Sequence, residues 1–208
     1  MASTYDQNIV PAQELLDTAR EAARAATPER QRTFVRELSG RYSEIYKRIF
    51  EAPRVIHAGD VKWGGGPQMF GKSPIDPDSV DTTQLFHCHF EMLSPGGKSQ
   101  KHGHMNSAAF YILDGEGYDV HDGVTYPWRA GDVCIVEPGC VHQHFNADPE
   151  HPAKMLIMKA KPLYLFANLG FQGFVERAPK DPVPGFEGWL PDEVIEQGGL
   201  AEHGYSGG

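Results

Sequence analysis

The chain has 208 residues, 23 Gly, 16 Pro and a formal net charge of −9. That length suits one globular domain with peripheral elements, and the 40% hydrophobic content excludes wholesale disorder. A chain this acidic is not a general phosphate-backbone binder, so no nucleic-acid partner is expected. No apolar run reaches the ~20 residues of a membrane span, so no membrane partner is expected either. Met1 to Gln7 lack the basic start and apolar core of a signal peptide, which points to a cytoplasmic location. The three cysteines, Cys88, Cys134 and Cys140, form no CxxC pair, and their odd count fits a reducing compartment.

Residues 11 to 50 read as helical. Leu15, Leu16, Ala19, Ala22 and Ala23 form a weak apolar stripe. Thr27-Pro28-Glu29 has the form of an N-cap, an N1 proline and an acidic first turn. Phe34, Val35, Leu38, Tyr42, Ile45, Tyr46, Ile49 and Phe50 then follow at steps of one, three or four, the spacing of one buried helix face. Residues 1–53 are therefore taken as an N-terminal helical extension, closed by Pro53.

From Arg54 the pattern changes to short apolar segments: Val55-Ile56-His57, Leu85 to Leu93, Ala109 to Leu113, Val133 to Val136 and Met155 to Lys159. Turn-formers such as Gly64-Gly65-Gly66, Asp122-Gly123 and Pro138-Gly139 separate them. Many short strands at this spacing predict an antiparallel sandwich or barrel over residues 54–168. Residues 169–208, rich in Pro and Gly, read as an irregular tail that packs on the barrel.

Histidine is the unusual residue. Seven of ten (His87, His89, His102, His104, His121, His142 and His144) fall in the strand-rich part of the chain. Side chains two apart on a strand share a face, so His102 and His104 point the same way, as two ligands of one ion must. A second segment, Gly131 to Asn146, offers a third imidazole at His142, just after a tight turn.

These two segments resemble the cupin superfamily. Its first motif, G-x5-H-x-H-x3-E-x6-G, fits Gly96 through His102 and His104 to Gly115, with Ala108 in the glutamate position. Its second, G-x5-P-x-G-x2-H-x3-N, fits Gly131 through Gly139 and His142 to Asn146, with Glu137 in place of the first proline. The resemblance implies an all-β fold, the double-stranded β-helix or jelly-roll barrel, with a metal held by His102, His104 and His142. Without the glutamate, three neutral imidazoles leave the ion its full charge and about three open positions in octahedral geometry. The three-histidine variant with an H-x-H-x-N ending is similar to gentisate-type ring-cleaving and diketone-cleaving dioxygenases.

The function implied is that of a mononuclear Fe(II) dioxygenase of aromatic compound catabolism. It would chelate a phenolic or enolic anion and cleave a C–C bond with O2 as co-substrate. Fe(II) is the expected metal, with Zn, Ni, Mn or Cu as alternatives, and the expected assembly is a homodimer. A thiol dioxygenase, a lyase or isomerase using the ion as a Lewis acid, and a non-catalytic metal-dependent binding protein are the rival readings. His144, on the face of His142, and Gln100, on the face of His102, are the candidate catalytic groups. Ala108, Phe110, Ile112 and Cys140 are the candidate substrate-binding positions, while Tyr111 and Leu113 should point outward. His87 and His89 read as wall residues, and His121, beside the Asp122-Gly123 turn, as a solvated surface residue.

Overall fold

The computed structural model describes residues 47–76, 85 and 87–202, together with Glu21 and Glu44. Of the helices read over residues 11–50, Glu21, Glu44 and residues 47–50 are described and are helical, and the rest lies outside the described residues; Phe50, read on the buried face, is exposed. The chain divides into two compact units, Met1–Lys47 and Arg48–Gly208, and strands make up most of the regular structure described in the second. They are β1 (Gly64–Gly65), β2 (Met69–Ile75), β3 (His87–Leu93), β4 (Lys101–His104), β5 (Ala108–Asp114) and β6 (Glu116–His121). After them come β7 (Val124–Arg129), β8 (Val133–Val136), β9 (Val141–Asn146), β10 (Ala153–Lys159) and β11 (Gln172–Glu176). Two short helices, α1 (Lys161–Phe166) and α2 (Asp192–Glu196), complete the set. Among the described residues no helix is long and apolar enough to cross a membrane.

The strands form two antiparallel sheets, one ordered β1-β2-β3-β10-β5-β8 and the other β11-β4-β9-β6-β7. This is the all-β jelly roll that the motifs imply. Strand alternation fixes which side chains face inward. On β5, Ala108, Phe110 and Ile112 are buried, whereas Tyr111 and Leu113 are exposed. Phe110, Ile112, Met155, Ile157, Val136, Met69, Leu93 and Trp128 form the apolar core. A second cluster, Trp63, Phe70, Met92 and Val194, ties α2 to β2 and β3.

Two readings of local structure change. Val55-Ile56-His57, read as a strand segment, has no strand pairing. The segment is flanked by Pro53 and by the 3-10 turn Ala58–Asp60, and Val55 is exposed, so no core pulls it into a sheet. β1 and β2 arise from a stretch whose Gly and Pro content reads only as turn. Beyond residue 168 the chain is mostly irregular, yet β11 pairs with β4 and so completes the sheet that carries His102 and His104.

The β6–β7 hairpin turns on Asp122 (φ 46°) and Gly123 (φ 90°), the positive-φ pair of a two-residue hairpin. Asp122 Oδ1 also accepts a hydrogen bond of 3.0 Å from the Val141 amide and pins the hairpin to the start of β9. Gly117 on β6 leaves the space in which the Trp128 ring lies. A Cβ there would collide with that ring and with the Phe145 carbonyl.

Candidate metal centre

The register of the second sheet assembles the histidines. His102 on β4 lies directly opposite His142 on β9, and His104 is two residues further along β4. Opposed residues share a face with Cβ atoms about 5 Å apart, so all three imidazoles meet inside the barrel. Their ring centroids are 4.4 Å (His102–His142), 4.9 Å (His104–His142) and 5.5 Å (His102–His104) apart. One nitrogen from each lies within 4.8 Å of the others, a donor set able to hold a metal ion.

The donors fit a metal. His104 Nδ1–H donates to the Asn106 carbonyl at 2.6 Å, which leaves its Nε2 as the free lone pair. The Nε2 atoms of His102 and His104 are buried with no hydrogen-bond partner in the protein. Burying a polar atom without a partner is costly, and an ion would satisfy both. Burial lowers the pKa of all three rings, to about 3 for His102 and about 4 for His104, and lowers that of His142 as well. The three rings are neutral at physiological pH, the form in which an imidazole can ligate a metal.

The cavity they face holds about 10 Å³, room for one water-sized body or ion. Gln100, Ala108, Phe110 and His144 also line it, as the sequence predicts, together with Val136 and Ile157. Ile112 and Cys140 do not. Ile112, although it has inward parity, sits further along β5 in the apolar core. Cys140 precedes β9, and its Sγ lies 3.9 Å from His142 Nδ1, behind the imidazole rather than in the cavity. His89 is a wall residue of the cavity, whereas His87 lies 3.3 Å from Ser73 Oγ outside it. An external cleft of about 360 Å³, lined by Met105, Phe171 and Gln172, shares His104 with the cavity.

Sequence reasoning misses two charged side chains here. Glu91 and Lys159, 3% and 5% exposed, project into the cavity from β3 and β10. Burial lowers Lys159 to about 8 against the opposing pull of Glu91, and burial raises Glu91. The available signal was strand parity: Lys159 continues the inward series Met155, Ile157, and Glu91 continues His87, His89. Lys159 also lies directly opposite Ala108 in the β10–β5 register.

A third missed residue is Asp119, fully buried on β6 opposite His144. Its Oδ2 accepts from His144 Nδ1–H at 2.8 Å and from His121 Nε2–H at 3.1 Å, while Oδ1 accepts from Trp128 Nε1–H at 2.9 Å. Burial opposes its charge, but His144 and the three donors outweigh that and hold it at about 2. For His144, burial acts downward, but Asp119 raises the pKa overall. The bond to Asp119 raises His121 too. His121 is thus no surface residue. It is 5% exposed, because parity with Asp119 on β6 turns it inward despite the adjacent hairpin turn.

Comparison with known proteins agrees with this geometry. Residues 89–159 match the family model of the cupin domain (Cupin_2), a span that contains all three converging histidines. This segment is similar to a cupin domain. Over 73 residues the chain is 29% identical to a 5-aminosalicylate 1,2-dioxygenase from Comamonas sp, which covers 35% of this chain and 20% of that protein. The chain therefore spans about a fifth of that relative's length.

Among solved structures it is similar to an oxalate decarboxylase formate complex from Lactobacillus farciminis. The TM-score is 0.52 and the identity 18%, with 60% of this chain and 36% of that one covered, a likeness of fold. A salicylate 1,2-dioxygenase from Pseudaminobacter salicylatoxidans matches with a TM-score of 0.47 and 17% identity, covering 52% of this chain and 31% of that one.

Proposed function

We propose that this cupin is a mononuclear non-haem Fe(II) dioxygenase that takes a phenolic or enolic anion and cleaves a C–C bond with O2. The observation that carries the reading is three buried, neutral imidazoles converging on a one-ion cavity with no carboxylate at position 108. His102, His104 and His142 would hold the metal. Bound Fe(II) would supply a Lewis-acidic centre with open positions, at which an anionic substrate and O2 are held side by side.

The remaining work belongs to the chain. Burial keeps the three ligands unprotonated, and the Asn106 carbonyl holds the His104 ring in the ligating tautomer. Lys159 places a cation on the opposite wall, suited to an anionic substrate. Gln100 offers an amide to a bound oxygen. His144, whose Nδ1–H is fixed on Asp119, presents its other nitrogen to the cavity as the proton donor. Phe110, Val136 and Ile157 keep the remaining walls apolar. The external cleft beside His104 has the size of a small-ligand site and is the approach we assign to the substrate.

Support for the substrate class comes from the 29% identity with 5-aminosalicylate 1,2-dioxygenase over 73 residues. The reading carries with it a cytoplasmic homodimer engaged in the breakdown of aromatic compounds.

The test is oxygen uptake by protein loaded anaerobically with Fe(II) and offered salicylates, gentisate, catechols and β-diketones in turn. O2 consumption matched by a ring- or chain-cleaved product with one class is the expected result. Protein with stoichiometric iron that consumes no O2 with any of them overturns the reading.

A further inference from the structure

Behind His142 a second set of donor atoms converges. His121, Glu137 and Cys140 offer an imidazole nitrogen, a carboxylate oxygen and a thiol sulfur, all within 4.8 Å of one another. They come from the end of β6, the residue after β8 and the residue before β9, three points that the Asp122–Val141 hydrogen bond draws together. His121 Nε2–H is committed to Asp119 Oδ2 at 3.1 Å, and Asp119 is itself held by Trp128 and His144. A neutral His121 therefore aims the lone pair of Nδ1 at Glu137 Oε2, 3.2 Å away. Two acceptors facing each other need a proton or a cation between them.

A carboxylate behind the imidazole is the arrangement that fixes ring orientation and raises basicity in metal-binding histidines. The carboxylates of Glu137, Asp122 and Asp119 surround the Cys140 thiol with a negative field. The same negative field attracts a divalent cation, which displaces the thiol proton to solvent on binding. His121 and Glu137 also line an external cleft of about 420 Å³, so an ion reaches them without crossing the inner cavity.

We propose that His121, Glu137 and Cys140 form a second divalent-cation site, separate from the three-histidine centre and suited to Zn²⁺. One nitrogen, one oxygen and one sulfur donor with a position left for water is a set that zinc accepts and that the hard cations Mg²⁺ and Ca²⁺ do not. The site goes beyond the dioxygenase reading and does not depend on it.

The experiment titrates metal-depleted full-length protein with Zn²⁺, counting bound equivalents, and in parallel with Co²⁺, whose thiolate ligation gives a near-ultraviolet charge-transfer band. The inner donors are all nitrogen, so the band reports the outer site alone. Two zinc equivalents and a cobalt–sulfur band are expected. Cys140→Ser should lose the band and one equivalent, and Glu137→Ala, a change at an exposed side chain, should weaken the same equivalent. Asp119→Asn should weaken it by about 10–100-fold. His102→Ala should keep the band while losing the inner equivalent. A single equivalent without a sulfur band in the wild type overturns the proposal. So does a second equivalent that survives in Cys140→Ser or is unchanged in Glu137→Ala.

Discussion

Two neighbouring patches of the barrel interior are both built of buried histidines and behave in opposite ways. Around His102, His104 and His142 burial outweighs the backbone hydrogen bonds that favour protonation, and the rings are neutral at physiological pH. Around His144 and His121, on the adjoining part of β9 and β6, the pKa values rise. His142 and His144 are two residues apart on one strand and equally buried. What chiefly separates them is the Asp119 carboxylate, hydrogen-bonded to His144 and not to His142, with Glu91 adding to the pull on His144. A buried carboxylate partner raises the pKa of an imidazole, and burial without one lowers it.

That contrast is broken most severely by removing a ligand. His102→Ala, His104→Ala and His142→Ala should each abolish stoichiometric binding at the inner centre and all activity. Metal analysis after anaerobic iron loading checks this, and near-wild-type content in all three variants would refute the ligand set.

Asp119→Asn should come next, because it erases the difference between the patches. Breaking a buried charge pair costs about 3–5 kcal/mol, measured by urea unfolding of the metal-free protein. Its pH dependence is distinctive. The Asp119 carboxyl falls from 3.8 unfolded to about 2 folded, so its contribution is present above 3.8 and lost as pH drops toward 2. His144 and His121 are raised from 6.5, so theirs is present below 6.5 and lost as pH climbs through their folded values. The stability gap between wild type and Asp119→Asn should therefore be widest between about pH 4 and 6.5, and narrow on either side.

His144→Ala sharpens the comparison more gently. It removes a neighbour of the ligands, and metal affinity should fall by roughly 10–100-fold rather than vanish. Loss as complete as in His142→Ala would contradict the indirect role assigned to His144 and count it among the ligands.

Ala108→Glu is the mildest change. Position 108 faces a cavity of about 10 Å³ and lies opposite Lys159, so the added side chain overpacks the site and should cost roughly 1–3 kcal/mol in urea unfolding. Where the glutamate does reach the ion, affinity should hold or rise and turnover should drop at least tenfold. Full turnover with the carboxylate bound would contradict the importance of open coordination positions.

The convergence of His102, His104 and His142 was legible in the sequence because strand parity and turn position are local properties. His102 and His104 alternate around Gly103, and Pro138-Gly139 places His142 just after a turn. Phe110 and Tyr111 sorted correctly to opposite faces for the same reason. What could not be read locally was register. Nothing near Asp119 announces that it faces His144 across β6 and β9, or that Trp128 reaches it over Gly117. His121 was misread because a turn dipeptide suggests solvent, while its actual neighbours come from β9 and the β8–β9 turn. Lys159 and Glu91 were hidden by their residue type. Charged side chains are almost never fully buried unless paired, so their inward parity carried little weight against composition. Cys140, expected at the pocket, instead lies behind the His142 ring and does not line the cavity.

We propose that the three-histidine face, with alanine rather than glutamate at position 108, holds the catalytic ion. Crystals of protein loaded anaerobically with Fe(II), with diffraction recorded on both sides of the iron edge, test it directly. The account predicts an anomalous peak inside the barrel, within ~2.0–2.2 Å of one nitrogen each of His102, His104 and His142, by analogy with imidazole–zinc distances. Iron bound instead at His144 and Asp119, or no iron among the three imidazoles of a fully loaded protein, would contradict it.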